Sequence, residues 1–366
     1  MTFWLSLKAY PVAFLLAPLL LQQRQWLLRT CTQQVPILPS NQSPLGALPA
    51  RFRRERLLIV GHGDVGQRVS RLLGASGRGR QAVQVLALSR NPERAGLLHA
   101  QAVRPLRGDL DDPASLRRLA GIATRVLHLA PPAAPAAGDE RWWLDTRTTA
   151  LMRVLRLRSL PRSLVYASTS GVYGDCRGAW VSETRSVAPT TARAQRRVNA
   201  ELAVRFAGRS GLRVSLLRIP GIYAPDREGG TPRTRLQRGT AVLRSEDDVY
   251  TNHIHADDLA RACLLALWRG QPQRIYHASD DTRLKMGDYF DLAADLYGLA
   301  RPPRISREQA QTELPASLLS FMSESRRLSN RRLKRELRLR LRYPTVTEGL
   351  QSQAEQSALP SPDGAG

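Results

Sequence analysis

The chain has 366 residues, 42% of them hydrophobic, and carries 55 Lys plus Arg against 31 Asp plus Glu, a formal net charge of +24. That hydrophobic share excludes global disorder, and the length leaves room for one large domain or two unequal ones. The charge is nearly all arginine, since Lys8, Lys285 and Lys334 are the only lysines; without a zinc-finger spacing or RNP-like aromatics it reads as dispersed over solvated faces, not as a nucleic-acid surface.

Residues 1–55 stand apart from the rest. "KAYPVAFLLAPLLL" holds a run of 13 uncharged, mostly apolar residues after Lys8, shorter than the roughly 20 that a membrane span needs. Pro11 and Pro18 interrupt it, no small-x-small cleavage site follows promptly, and "PILPSNQSPLGALPARFRRER" behind it has linker composition. The segment reads first as a dispensable extension, second as a membrane-associated helix over residues 3–21, third as a cleaved signal. The core domain begins near Arg56.

"RLLIVGHGDVGQRVSRLL" comes next. Leu57 to Val60 predict a strand and "VSRLL" an amphipathic helix, with Gly61, Gly63 and Gly66 between them in G-x-G-x-x-G spacing. In that setting the first glycine permits a tight turn, the second lets backbone approach a pyrophosphate, and the third lets helix pack on strand. The helix N-terminus adds amide donors for phosphate. Gly61, His62, Gly63, Asp64, Val65 and Gly66 are therefore the candidate dinucleotide loop. The second strand, "VQVLALSR", ends at Leu88, and no acid follows to grip an adenosine ribose. Ser89 and Arg90 stand there instead. A small hydroxyl beside an arginine suits a 2′-phosphate, so NADP is preferred over NAD.

Further elements alternate. "AVRPLRGDL" predicts a strand before a helix starting around Asp112 and Pro113. "RVLHLAPP", "SLVYASTSGVYGD", "LRVSLLRIPGIYAP" and "RIYHASDD" predict four more strands. The alternation implies an α/β fold, a Rossmann-like doubly wound parallel sheet. Residues 56–225 form the dinucleotide-binding domain, to which 250–280 return; 226–249 and 281–350 form a small C-terminal substrate lobe, and 351–366 a disordered tail. "RRLSNRRLKRELRLRLR", Arg326 to Arg342, reads as an exposed basic helix or as a contact for an anionic partner. Cys31, Cys176 and Cys263 lack CxxC spacing, which argues against a disulfide framework or a metal site and for a reducing compartment.

The markers "GHGDVG", "GDL", "HLAPP", "STSGVYGD", "LRIPGIYAP", "IHADDLARA" and "YPTVTEGL" follow one another in that order. On them the chain, from about Leu57 to Leu350, resembles the NAD(P)-dependent epimerase/dehydratase group, the extended and atypical short-chain dehydrogenases/reductases. The resemblance implies an NAD(P) cofactor, with Asp109 and Leu110 by its adenine ring and Leu129 and Ala130 along it. It implies Pro220, Gly221 and Ile222 over the nicotinamide side, and Thr169 as the strand-end hydroxyl of the site. Asp257 and Asp258 belong to a motif that shapes the fold.

The same resemblance implies a Tyr-x-x-x-Lys pair on one helix face. The glutamate that commonly follows the lysine aligns with Glu201, which puts Arg197 in the lysine's place and Arg193 in the tyrosine's. Arg197 keeps a charge that can serve ribose hydroxyls. Arg193 cannot exchange a proton near neutrality, and reads instead as a grip for an anionic substrate group. No tyrosine lies between Tyr173 and Tyr223, so Tyr173 joins Thr169 as a candidate catalytic residue, with Tyr223 and His255 behind it.

Two functions follow. The first is an oxidoreductase or epimerase-like enzyme acting on a small molecule, its lobe offering little surface to a large nucleotide-sugar. The second is a module that keeps the dinucleotide but has lost catalysis, serving as a sensor or docking partner. Neither needs a specific nucleic acid, a firm membrane partner or a metal; a homodimer fits both, and the expected location is cytoplasmic.

Overall fold

The computed structural model describes residues 55–76, 83–134 and 140–351. Apart from Glu55, the expected leader with its apolar run at 3–21 lies outside the described residues, as does all but the first residue of the expected tail. Among the described residues, no helix is long and apolar enough to cross a membrane.

Seven strands build the central sheet: β1 (Arg56–Val60), β2 (Gln84–Ser89), β3 (Val103–Arg107), β4 (Arg125–His128), β5 (Ser163–Thr169), β6 (Arg213–Ile219) and β7 (Arg274–His277). They lie in the order 3-2-1-4-5-6-7 and every pairing is parallel. Both faces are covered, which is why the strands read as near-continuous apolar runs. Side chains alternate across the sheet. Leu57 and Ile59 of β1 enter one core with Val85 and Ala87, while Leu58 and Val60 enter the other with Leu86 and Leu88.

Helices α1 (Asp64–Ser76), α2 (Arg94–Ala100), α3 (Thr146–Leu155), α4 (Ala192–Gly208) and α5 (Ala256–Arg269) flank the sheet. Val69 of α1 and Leu259, Cys263 and Leu267 of α5 cover the first face. Leu151 and Leu155 of α3 and Ala200 and Val204 of α4 cover the second. The chain reverses direction across the sheet between β1 and β4, and a crevice opens at the carboxyl ends of those strands.

A separate apolar cluster underlies the C-terminal lobe. Phe290 and Ala293 of α6 (Met286–Tyr297) pack there with Val242, Leu243, Val346 and Leu350. Asp258, on α5, has 0% exposure and accepts from the amides of Arg342 and Tyr343 and from the Arg261 guanidinium. It pins the returning C-terminal segment against the sheet.

Two predicted elements differ. The helix expected from Asp112 is a single 3-10 turn at Ser115–Leu119. The Ser115 hydroxyl bonds the Asp112 carbonyl at 2.7 Å and accepts from the Asp109 amide at 2.9 Å, a local closure that competes with a regular helix. The basic stretch from Arg326 to Arg342 is not one exposed helix either. It contains a strand at Arg327–Leu328, paired with Trp180–Val181, and a short helix at Arg331–Glu336. Leu333, Leu337 and Leu339 are buried in the main core, so apolar spacing inside the arginine run draws it inward.

Candidate functional site

The turn after β1 is held by its glycines in different ways. Gly61 has φ +94°, and a Cβ there would lie 2.5 Å from the Ala130 amide nitrogen, so the end of β4 closes against bare backbone. Gly66 would meet the Gly61 carbonyl at 3.2 Å and the Ile59 side chain at 3.4 Å, which lets α1 sit tightly on β1. Gly63 has nothing within 4 Å. Its backbone faces open space at the head of α1, where amide donors and the helix dipole favour an anion.

On one side of Gly63 lies a cavity of about 540 Å³, lined by His62, Ser89, Arg90, Asp109, Leu110, Leu129 and Ala130. Asn91, Arg94 and Arg147 line it too. Arg94 donates to the His62 carbonyl at 3.0 Å, and Arg147 holds Asp111 through a bidentate pair. The His62 ring itself turns inward, bonding Ser70 Oγ at 2.9 Å, and burial lowers its pKa, so it stays neutral.

On the other side is a cavity of about 300 Å³ bounded by Gly61, Gly63, Asp64, Val65, Gly66, Leu129, Thr169, Arg197, Pro220 and Ile222. It continues past Thr169 and Arg197 into a chamber of about 470 Å³ that includes Arg193 and Gly221. The three spaces share walls, and together they form one crevice running over the carboxyl ends of β2, β1, β4 and β5.

Asp64 puts a carboxylate beside the glycine loop, where it would repel a phosphate. Two guanidiniums answer it: Arg68 at 3.1 Å and Arg227 at 2.7 Å. Arg68 is buried and also bonds Asp226 at 2.6 Å and Asp257. Burial alone would lower its pKa, but these carboxylates raise it. The charge is thus locked on, and Arg68 ties α1 to the 224–230 loop and to α5.

Helix α4 starts from Thr191, whose hydroxyl accepts from the Ala194 amide. Arg193 and Arg197 follow on one face. Arg197 Nη1 donates to the Ala167 carbonyl at 2.6 Å and to the Tyr166 hydroxyl at 3.1 Å, so the guanidinium is held at the end of β5. Arg193 lies with its guanidinium 5.3 Å from the Phe321 ring centroid. Thr169 Oγ1 accepts from the Gly171 amide at 3.3 Å, which leaves its hydroxyl proton free to donate.

Tyr173 is corrected. It is 1% exposed and lines none of the three spaces. Its hydroxyl meets His277 Nε2 at 2.6 Å, and the Arg218 guanidinium covers its ring at 4.7 Å. Burial raises its pKa, partly opposed by Arg218, and its place outside the crevice makes it a packing group there. Arg218 in turn makes a buried pair with Glu201 at 2.7 Å, to which Ser168 also donates. Tyr223 and His255 are structural as well. Tyr223 donates to the Thr345 carbonyl, and His255 caps α5 through the Asp257 amide.

The sequence reading missed Arg94, Arg147, Arg227, Tyr250 and Glu324, all of which line the crevice. Arg94 alone had a local signal, four residues after Arg90 at the start of the next helix. The others arrive from distant segments and are four ordinary-looking polar positions in an arginine-rich chain.

A profile of the NAD dependent epimerase/dehydratase family matches residues 57–278. Among solved structures, a functionally unknown conserved protein from Silicibacter pomeroyi is 29% identical with a TM-score of 0.65, covering 83% of this chain and 100% of its own. DesIV, a dTDP-glucose 4,6-dehydratase from Streptomyces venezuelae solved with NAD and TYD bound, is 22% identical with a TM-score of 0.65, covering 82% and 96%. A UDP-glucuronic acid 4-epimerase from Bacillus cereus, solved with UDP-glucuronic acid and NAD, is 16% identical with a TM-score of 0.64, covering 82% and 98%. No curated protein matches the chain.

Proposed function

The chain belongs to the NAD dependent epimerase/dehydratase family, and from that premise we propose that it binds NADP(H) in the crevice and acts as an oxidoreductase or epimerase-like protein on a small molecule. The observation that carries this reading is Gly63, an open backbone position between two sterically filled glycines, with a cavity on either side. The larger cavity takes the adenosine half, with Asp109 and Leu110 by the adenine. Ser89, Arg90 and Arg94 face the 2′-phosphate there. The amides heading α1 take the diphosphate. Arg197, Pro220 and Ile222 bound the nicotinamide riboside, and Gly221 lies just beyond.

Bound in that position, the nicotinamide supplies or takes up a hydride. Thr169 contributes a hydroxyl proton toward a substrate oxygen. Arg197 contributes fixed positive charge and free N–H groups. Neither restores the acid/base step of a Tyr-x-x-x-Lys pair, a contribution worth about 10²- to 10⁴-fold in rate. Arg193 and the burial of Tyr173 therefore favour a second reading, a coenzyme-binding sensor or docking module without turnover. Cys176 and Cys263 are buried free thiols, in keeping with a reducing, cytoplasmic setting for either reading.

Thermal shift of the full chain with NADPH, NADP⁺, NADH and NAD⁺ side by side tests the coenzyme. A ligand at 100 times its dissociation constant adds about 2.7 kcal/mol to native stability, and NADPH should give the largest shift. Absence of a shift with all four defeats both readings. Where binding holds, hydride transfer from NADPH to a panel of small carbonyl compounds separates enzyme from sensor.

A further inference from the structure

The chamber beyond Thr169 is the part of the crevice that a dinucleotide leaves free, and its charge is one-sided. Four guanidinium side chains line it, Arg193, Arg197, Arg227 and Arg326, against one carboxylate, Glu324. Two of the four are already answered, Arg326 by Glu324 at 2.8 Å and Arg227 by Asp64 at 2.7 Å. The other Glu324 oxygen accepts from the Thr190 hydroxyl. Glu324 is thus engaged with Arg326 and Thr190, and it forms no ion pair with Arg193 among the described residues.

Arg197 touches only neutral acceptors, the Ala167 carbonyl and the Tyr166 hydroxyl. The acid behind it, Asp145, is itself buried, and that burial raises its pKa against the pull of Thr148 and Arg197. Arg193 stacks on Phe321 and has no carboxylate partner among the described residues. Like charges four residues apart on one helix repel. Two such cations at the wall of a half-enclosed space form a standing demand for an anion.

We propose that this chamber binds a small organic acid, its carboxylate or phosphate group docking on Arg193 and Arg197 beside the Thr169 hydroxyl. The proposal rests on the coenzyme reading above for its neighbour and adds the chemical class of what sits next to it. The guanidinium fork matches a carboxylate or a phosphate with paired N–H donors. About 470 Å³ suits a small molecule, and Ile222, Met286 and Phe321 give its carbon skeleton an apolar wall. The substitution that removes the proton-carrying tyrosine thus equips the same helix face to hold an anion.

Calorimetric titration of the full chain decides it, with malonate, its uncharged counterpart malonamide, and inorganic phosphate, each with and without saturating NADP⁺. With NADP⁺ bound over the glycine loop, malonate or phosphate should bind at a single site and malonamide should not. Arg193→Ala should weaken the anion by about 10- to 100-fold, the worth of a charged hydrogen bond, and Arg193→Lys should retain part of it. NADPH affinity should be unchanged in both variants, because Arg193 lines only the chamber beyond the coenzyme. Tighter malonate assigns a carboxylate ligand, and tighter phosphate a phosphate ester. Equal binding of malonate and malonamide, or malonate binding that survives Arg193→Ala intact, overturns the proposal. Failure of NADPH to bind would strike the coenzyme reading alone, since the arm without coenzyme still decides the anion site.

Discussion

Gly61 and Gly63 are two residues apart and answer to opposite constraints. Gly61→Ala brings a Cβ within 2.5 Å of the Ala130 backbone at φ +94°; it should cost about 1–3 kcal/mol or more, read as a lowered denaturant midpoint. Gly63→Ala meets no atom within 4 Å, so stability should stay within about 0.5 kcal/mol of wild type. Its NADPH affinity should nevertheless fall at least about tenfold, because the added methyl stands where the diphosphate would approach. Arg90→Asp should reduce the preference for NADPH over NADH in fluorescence titration; an unchanged ratio would remove Arg90 from the 2′-phosphate site. The glycines were legible in the sequence because a backbone conformation and a missing side chain are local demands. Tyr173 was misread because its environment is made by His277 and Arg218, paired on two neighbouring strands far from it in sequence.

Helix α4 shows what one element can be asked to do along a single face. It carries Arg193 and Arg197 to the crevice. One turn further on, Glu201 enters the core and meets Arg218, the two side chains 5% and 4% exposed. Breaking such a pair leaves a buried charge unmatched, so Glu201→Ala should cost about 3–5 kcal/mol. Loss of near-ambient folding in a melt would agree; a midpoint within experimental error of wild type would show that water reaches Arg218. The strands were readable from their apolar runs, and their parallel pairing followed from alternation with helices. The Asp112 helix and the basic tail were not, for different reasons. A serine hydroxyl closed the first into a tighter turn, and the second owes its shape to leucines whose burial depends on the sheet already being there. Arg227 and Glu324 escaped for the same cause as the tail. They reach the crevice only after the lobe has folded back.

At the scale of the whole molecule, the seam between sheet and lobe buries ionisable groups that set the response to pH. Asp280 is 4% exposed, and burial pushes its pKa up from 3.8 to about 8. One of its oxygens accepts from the Thr282 amide, while Oδ2 has no hydrogen-bond partner among the described residues. A raised carboxyl keeps its proton in the native state after the unfolded chain has lost it. Its contribution to stability is therefore intact below the unfolded value and is lost as pH climbs through about 8. Asp280→Asn should flatten the fall in Tm between about pH 4 and about pH 8; an unaltered slope would assign that fall elsewhere. The Asp258 carboxylate has a consequence of another kind. The amides that seal it belong to residues 84 and 85 positions further along, so during synthesis the Asp258 carboxylate has only the nearby Arg261 guanidinium until Arg342 and Tyr343 have been made. A stop codon placed just ahead of Arg342 would then release a chain with an open clasp, fit for proteolysis and not for a shortened working life.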